Sequence, residues 1–430
     1  MAGISVMSPG LWLYISFVLL LACGVPVAVC LGLSGIVIIV ASGLGIQALP
    51  TIVFASIAKP SLVAIPLFIL AGVIFYRIGI AERLIHLVKL LVGPIPGGLA
   101  IVAVISALIM GANTGSGPAE TAALGSVLIP GLTEAGYPKR FVTALVATSS
   151  GLAIIIPPSI GFIIYGAITG TSIAKLFIAG IIPGMILAMA LLIMIFVLSC
   201  RRGYGGEAFG SLRQIGEALR DAVWGLLAPV IILGGIYLGL VTPTEAAAVA
   251  VFYGLAVGFF IHRSLTFRML YRILLESSVT TAVVMLIVAL AGVFGWTNVV
   301  VGVVEMVSRF LINATALAPL LLFLIVCGLL VAGTVMDAVT LYFITLPILM
   351  PVVQQCRWDP IWFGVVVTIA LAIGQVTPPV AVNLYVACSI ADLSIEEVTP
   401  DTLRFAFAAF LGMIVVVYVP VLSTWLPSFM

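Results

Sequence analysis

Apolar runs of about 20 residues, each long enough to cross a bilayer, succeed one another along nearly the whole chain, separated by short polar breaks. These breaks predict spans near 10–28, 30–48 and 61–76, a polar-faced stretch 77–92, interrupted segments 97–134 and 138–170, and a long span 175–200. A second series follows at 223–241, 244–261, 278–296, 298–312, 318–355, 360–390 and 402–426. Stretches 77–92 and 298–312 carry their charges on one side (Arg77, Glu82, Arg83, Lys89; Glu305, Arg309), the pattern of helices that lie in the interface. They read either as arms joining a mobile core to a fixed frame or as inert surface packing.

The two series are related. GANTGSGPAETAALGSVLIP at 111–130 lies on AGTVMDAVTLYFITLPILMP at 332–351 with an offset of 221 residues, and the same offset carries Pro157-Pro158 onto Pro378-Pro379. Each half thus has an apolar segment broken by Gly and small polar residues, followed by one broken at a Pro-Pro pair. Interrupted segments at corresponding positions of two halves point to the binding site of a secondary transporter. The predicted fold is an all-α polytopic membrane protein of two inverted repeats, 1–200 and 223–430, joined by a polar cytoplasmic linker at 201–222. If 97–134 and 318–355 are re-entrant hairpins, each half crosses five times, and an odd count turns the halves opposite ways. With both termini outside, the inner loops hold 13 Lys and Arg against 4 on the outer side, as the positive-inside rule requires.

Composition agrees with this class: 63% of residues are hydrophobic and 7% charged, with a mean hydropathy of +1.39. A net charge of +2 with no basic block gives no sign of nucleic acid. The six cysteines are scattered and read as packing residues, with lining of a site as the alternative for Cys388. The run from Leu11 lacks a basic n-region and a small-x-small cleavage site, so it reads as a retained span. His86 and His262 are the only histidines, and no HExxH or acidic metal motif exists, which disfavours a membrane enzyme.

The chemistry is expected at the interruptions, because irregular backbone at membrane depth survives only where protein or water satisfies it. The first tip offers Asn113, Thr114, Gly115 and Ser116; the second offers Gly333, Thr334 and Asp337. The Pro-Pro breaks free carbonyls and bring Ser149, Ser150, Pro158 and Ser159 in the first half, and Gly374, Gln375, Thr377, Pro379 and Asn383 in the second. Neutral oxygens of this kind suit a hard monovalent cation such as Na⁺, for which Asn113, Ser116, Ser149, Ser150, Gly333, Thr334, Asp337, Gly374, Gln375 and Thr377 are the candidate ligands. The free N–H groups of the second half-helix suit an anion, and Thr114, Gly115, Ser116, Pro158, Ser159, Thr334, Pro379 and Asn383 are the candidate substrate contacts. Asp337 reads as a buried acid partnering a cation, or alternatively as a structural hydrogen bond. Glu120 stands open between proton or cation binding and pairing within the fold. Glu245, after Thr242-Pro243-Thr244, reads as a helix cap.

GLVTPTEAAAVAVFYG at 239–254 resembles the Thr-Pro-Thr-Glu-Ala signature of the large membrane subunit of tripartite ATP-independent periplasmic (TRAP) transporters. So do AIPLFILAG at 64–72, GSVLIPGLTEAGYPKRF at 125–141, IIPPSIGFIIYGAITGTSIAKLFIAGIIPG at 155–184 and TPPVAVNLYVACSIADLSIEEV at 377–398, a likeness running from about residue 10 to the C-terminus. The resemblance implies a Na⁺-driven elevator importing an organic anion (a dicarboxylate, 2-oxo acid or sugar acid) across the inner membrane of a bacterial or archaeal cell. It also implies an extracytoplasmic solute-binding protein and a separate small four-helix membrane subunit, since no such domain precedes residue 10. The first tip departs from the Ser-Gly-Ser type common in that family, with Pro118 and Glu120 following it. A single-component Na⁺/divalent-anion symporter of related fold is the rival, separated by whether the chain transports alone.

Overall fold

The computed structural model describes residues 7–93, 95–204, 210–315 and 317–430. The described residues form helices and turns without a strand. In chain order, the first half has α1 (Met7–Ala22), α2 (Val27–Ala41), α3 (Leu49–Ile57), α4 (Ala64–Arg77), α5 (Ile80–Val92), α6 (Gly98–Thr114), α7 (Gly117–Glu134), α8 (Lys139–Ser150), α9 (Ile160–Thr169) and α10 (Ile173–Arg202). The second has α11 (Leu212–Tyr237), α12 (Pro243–Ala256), α13 (Phe267–Val300), α14 (Val303–Ala314), α15 (Ala318–Gly333), α16 (Ala338–Gln355), α17 (Pro360–Gly374), α18 (Val382–Ala391), α19 (Ile395–Tyr418) and the short α20 (Val421–Thr424). Among the described residues, seven helical stretches are long and apolar enough to cross a membrane.

The centre of the molecule is the pair of interrupted segments. α6 and α7 form one hairpin and α15 and α16 the other, while α8/α9 and α17/α18 are the helices broken at the Pro-Pro pairs, both of which have a cis peptide bond. α8 and α17 are buried almost throughout. The halves interlock through related elements: α18 packs on α7 and α8, and α9 packs on α16. At the second contact, Gly161 lies against the Tyr342 hydroxyl, which shares a 2.7 Å hydrogen bond with Thr368. Around this centre stand α2, α4, α12 and α13, with α13 packed on α2, α3, α4 and α16.

Several expected boundaries shift, each for a local reason. The span expected at 30–48 ends at Ala41, because Gly43 and Gly45 take positive φ (+66° and +82°), and α3 follows as an extra helix. The span expected at 278–296 begins eleven residues earlier, at Phe267, capped by the Thr266 hydroxyl accepting from Met269 N–H. Arg268, Arg272 and Glu276 had made that turn look like a loop. The linker drawn as 201–222 is shorter than expected. Arg201 and Arg202 close α10, and a capping box of Ser211 with Gln214 starts α11, which runs unbroken to Tyr237. Residues 205–209 of that linker lie outside the described residues. The stretches 77–92 and 298–312 become α5 and α14, each preceded by a left-handed Gly (Gly79, Gly302). α5 buries Ile80, Ala81, Leu84, Leu87 and Val88 on one face.

Candidate functional site

The first tip is two residues long. Gly115 closes α6 at φ +61°, its N–H donating to Gly111 O at 2.9 Å, and Ser116 opens α7 in an extended conformation. Gly115 O then accepts from Ile160 N–H at 3.3 Å, across to the Pro-Pro break. A Cβ on Gly115 would stand 2.7 Å from Pro158 O, so tip and break meet backbone to backbone. Ser159 organises the break: it caps α9, accepting from Phe162 N–H, and its hydroxyl donates to Ile154 O at 2.5 Å. Thr114, Gly115, Ser116, Pro158 and Ser159 are thus brought together as the sequence suggests.

The second tip mirrors this contact by a different route. Thr334 O accepts from both Val380 and Ala381 N–H at 3.0 Å, and Gly333 and Gly374 touch so closely that a Cβ on Gly374 would lie 2.6 Å from Gly333 Cα. Asn383 N–H donates to Gln375 O at 3.0 Å, folding the break on itself. The environments differ, however. Pro157 and Pro158 are buried, whereas Pro379 and Val380 are exposed.

Three expected residues take other places. Asp337 is half-buried rather than sequestered. It caps α16, accepting from Thr340 N–H at 3.1 Å and from the Thr340 hydroxyl at 2.5 Å, so both carboxylate oxygens are engaged. Asn383 buries its amide against Gly117 of the first hairpin, and neither amide atom has a hydrogen-bond partner among the described residues. The Thr377 hydroxyl donates back to Ile373 O at 2.8 Å, which leaves its oxygen lone pairs as acceptors. Glu120, left open by the sequence, is fully buried and accepts from the Thr114 hydroxyl at 2.9 Å, stapling the two arms of the first hairpin. Its Oε1 has no partner among the described residues.

The remaining candidate ligands divide by half. In the first, Asn113 Oδ1, Ser149 Oγ and Ser150 Oγ are buried without a hydrogen-bond partner among the described residues; in the second, Gln375 Oε1 joins the Asn383 amide in this respect. Buried polar atoms of this kind normally find a partner. Neutral amide and hydroxyl oxygens beside a glycine-rich tip fit a hard cation such as Na⁺, and the first half supplies more of them.

Against the first tip lies a cavity of about 610 Å³. Thr114, Ser116 and Pro118 form its tip wall, Gly72 and Tyr76 on α4 another, and Thr280 on α13 a third. α4 is seated on the tip, since a Cβ on Gly72 would approach Asn113 O and Thr114 Cα to 3.3 Å. Arg77 and Glu276 also line the cavity. Sequence reading placed Arg77 among the one-sided charges of the 77–92 stretch, and its register on α4, four residues beyond Val73 and eight beyond Ile69, is the signal that could have found it. Thr334, Pro379 and Asn383 do not line this cavity.

The family model for the DctM component of tripartite ATP-independent periplasmic transporters matches residues 14–422. The chain is 39% identical over 406 residues to the isethionate TRAP transporter permease protein DctMQ of Oleidesulfovibrio alaskensis, covering 94% of this chain but 64% of that longer relative. It is 36% identical over 402 residues to the C4-dicarboxylate TRAP transporter large permease protein DctM of Pseudomonas aeruginosa, covering 93% and 94% of the two chains. In fold it is similar to the Alcanivorax borkumensis YdaH transporter (TM-score 0.57, 15% identity, 87% and 88% of the chains covered).

Proposed function

The chain belongs to the DctM family of tripartite ATP-independent periplasmic transporters, and on that premise we propose that it carries a small organic anion inward together with Na⁺. The anion is of the dicarboxylate, 2-oxo acid, sugar acid or sulfonate class; one similar protein is named for isethionate and another for C4-dicarboxylates. An extracytoplasmic solute-binding protein delivers it, and a small four-helix membrane subunit accompanies this chain. The observation that carries the reading is the meeting of each hairpin tip with a Pro-Pro break, beside buried neutral oxygens without partners. Such an arrangement holds a desolvated monovalent cation and needs no proton relay. The start of α7, whose Gly117 and Ala119 N–H groups have no side-chain cap, borders the same cavity through Ser116, Pro118 and Ala119 and favours an anion there.

Helix bounds that agree at the 221-residue offset support two inverted repeats, with α6/α7 and α15/α16 as re-entrant hairpins. The hairpins and broken helices form the moving core, and α4 and α13 belong to the frame. Uptake in proteoliposomes holding this chain, its small subunit and the binding protein is expected to require a Na⁺ gradient. Uptake that follows a proton gradient and ignores Na⁺ refutes the coupling. Uptake by this chain alone refutes the tripartite reading.

A further inference from the structure

Arg77 is the one cation among the described residues lining the 610 Å³ cavity, and it is held by Glu276 at 2.7 Å across the α4–α13 contact. Both side chains are partly open to solvent, at 45% and 43% exposure, so neither is locked into the core. Gly72, which touches the first tip, and Arg77 are five residues apart on α4, about 8 Å along the axis. A small organic acid lying in the cavity can therefore reach the tip with one end and Arg77 with the other. The intervening wall is made of small and apolar side chains such as Ala119, Ala122 and Val284, which offer no competing charge.

We propose that Arg77 is the counter-charge for the transported anion in this cavity, and that Glu276 occupies the guanidinium when no anion is present. The exchange is one carboxylate or sulfonate for another on the same donor fork, so the geometry that suits Glu276 suits the ligand. A half-exposed ion pair is weak, and the displaced Glu276 passes into water at little cost. The pair thus acts as a replaceable stopper: the anion is drawn from the tip toward Arg77, and returning Glu276 helps it leave. This rests on the organic-anion reading above, of which it specifies the recognition.

The test measures ligand-induced thermal stabilisation for the full chain with its small subunit, and uptake with the solute-binding protein added, using succinate, isethionate, 2-oxobutyrate and gluconate as probes. For whichever probe the wild type carries, Arg77→Gln is expected to raise the half-saturating concentration at least about tenfold. Glu276→Gln is expected to lower it about threefold and to slow release, since it removes the competitor. The double variant Arg77→Gln/Glu276→Gln replaces the ion pair with a neutral amide pair. It is expected to melt like wild type while keeping the weakened anion response of the single Arg77 variant. A double variant whose anion affinity returns to wild type would show that the pair only ties α4 to α13, and the proposal falls. An unchanged affinity in Arg77→Gln overturns it as well, leaving anion transport itself intact. A wild type that responds to none of the four probes removes the anion reading and this inference together.

Discussion

A methyl group on Gly115 has no room. The backbone is left-handed there and the Pro158 carbonyl is 2.7 Å from the Cβ position, so Gly115→Ala combines about 1–2 kcal/mol of conformational strain with a forced parting of tip and break. The expected result is protein that reaches the membrane and elutes as a single species in detergent, but transports poorly. Thr114 and Glu120 form a second pressure point. Thr114→Val removes the donor to a carboxyl that is already short of partners, at a cost of about 1–3 kcal/mol, and is expected to lower the melting temperature measurably. Asp337 separates capping from coupling. Asn caps as well as Asp, so Asp337→Asn is expected to keep both folded protein and Na⁺ dependence, while Asp337→Ala loses about 1 kcal/mol of helix stability. Loss of Na⁺ dependence in Asp337→Asn would return the charge to the mechanism. Glu245 forms the capping box with Thr242 that the Thr-Pro-Thr-Glu spacing foretells, a role a side chain reveals by itself because cap and partner are three residues apart.

Among the elements, α8, α10 and α19 converge on one acid. Asp401, at 2% side-chain exposure, meets Arg202 at 3.2 Å, Arg140 at 3.4 Å and the neighbouring Arg404 on its own helix. Phe141 stacks into the same junction beneath Arg202 and against Phe405. Removing the carboxylate leaves three guanidinium groups facing one another, partly solvated, so Asp401→Ala is expected to cost about 3 kcal/mol, visible as early thermal aggregation. The hairpins and broken helices were legible in the sequence because a tight tip needs Gly and small polar residues and a break needs Pro, wherever the rest of the chain lies. α3 and the first turns of α13 were not: α3 is nine residues, too short for a span and set off by Gly43 and Gly45, and the start of α13 carries Arg268, Arg272 and Glu276, so both stretches read as loops. The cavity that Arg77 borders, and the packing of the Asn383 candidate against the first hairpin, escaped for a related reason. Which cavity a helical side chain borders, and which hairpin an amide packs against, is fixed by the partner helix and not by its own segment.

For the whole molecule, orientation is the first thing to test. Cysteines placed at Arg213 or Arg220 are expected to label only from the cytoplasmic side and one at Arg357 only from outside; impermeant reagent reaching Arg220→Cys in intact cells would reverse the layout. The helix bounds of the two halves agree at the 221-residue offset from α5 and α14 onward, but not in the stretch before them. At the register where α13 runs unbroken for 34 residues, the first half has α3, a joint at 58–60 and α4, and the joint's Lys59 donates to Ala167 O near the end of α9 at 2.7 Å. On the proposed inverted-repeat reading, interchangeable halves would make the inward- and outward-facing conformers mirror exchanges of role with equal free energy. One jointed strut gripping a broken helix, opposite one rigid beam, lifts that degeneracy. On the transport reading proposed above, the resting protein is then expected to have a ground state, and the fraction populating the other conformer would scale the apparent affinity for the carried anion.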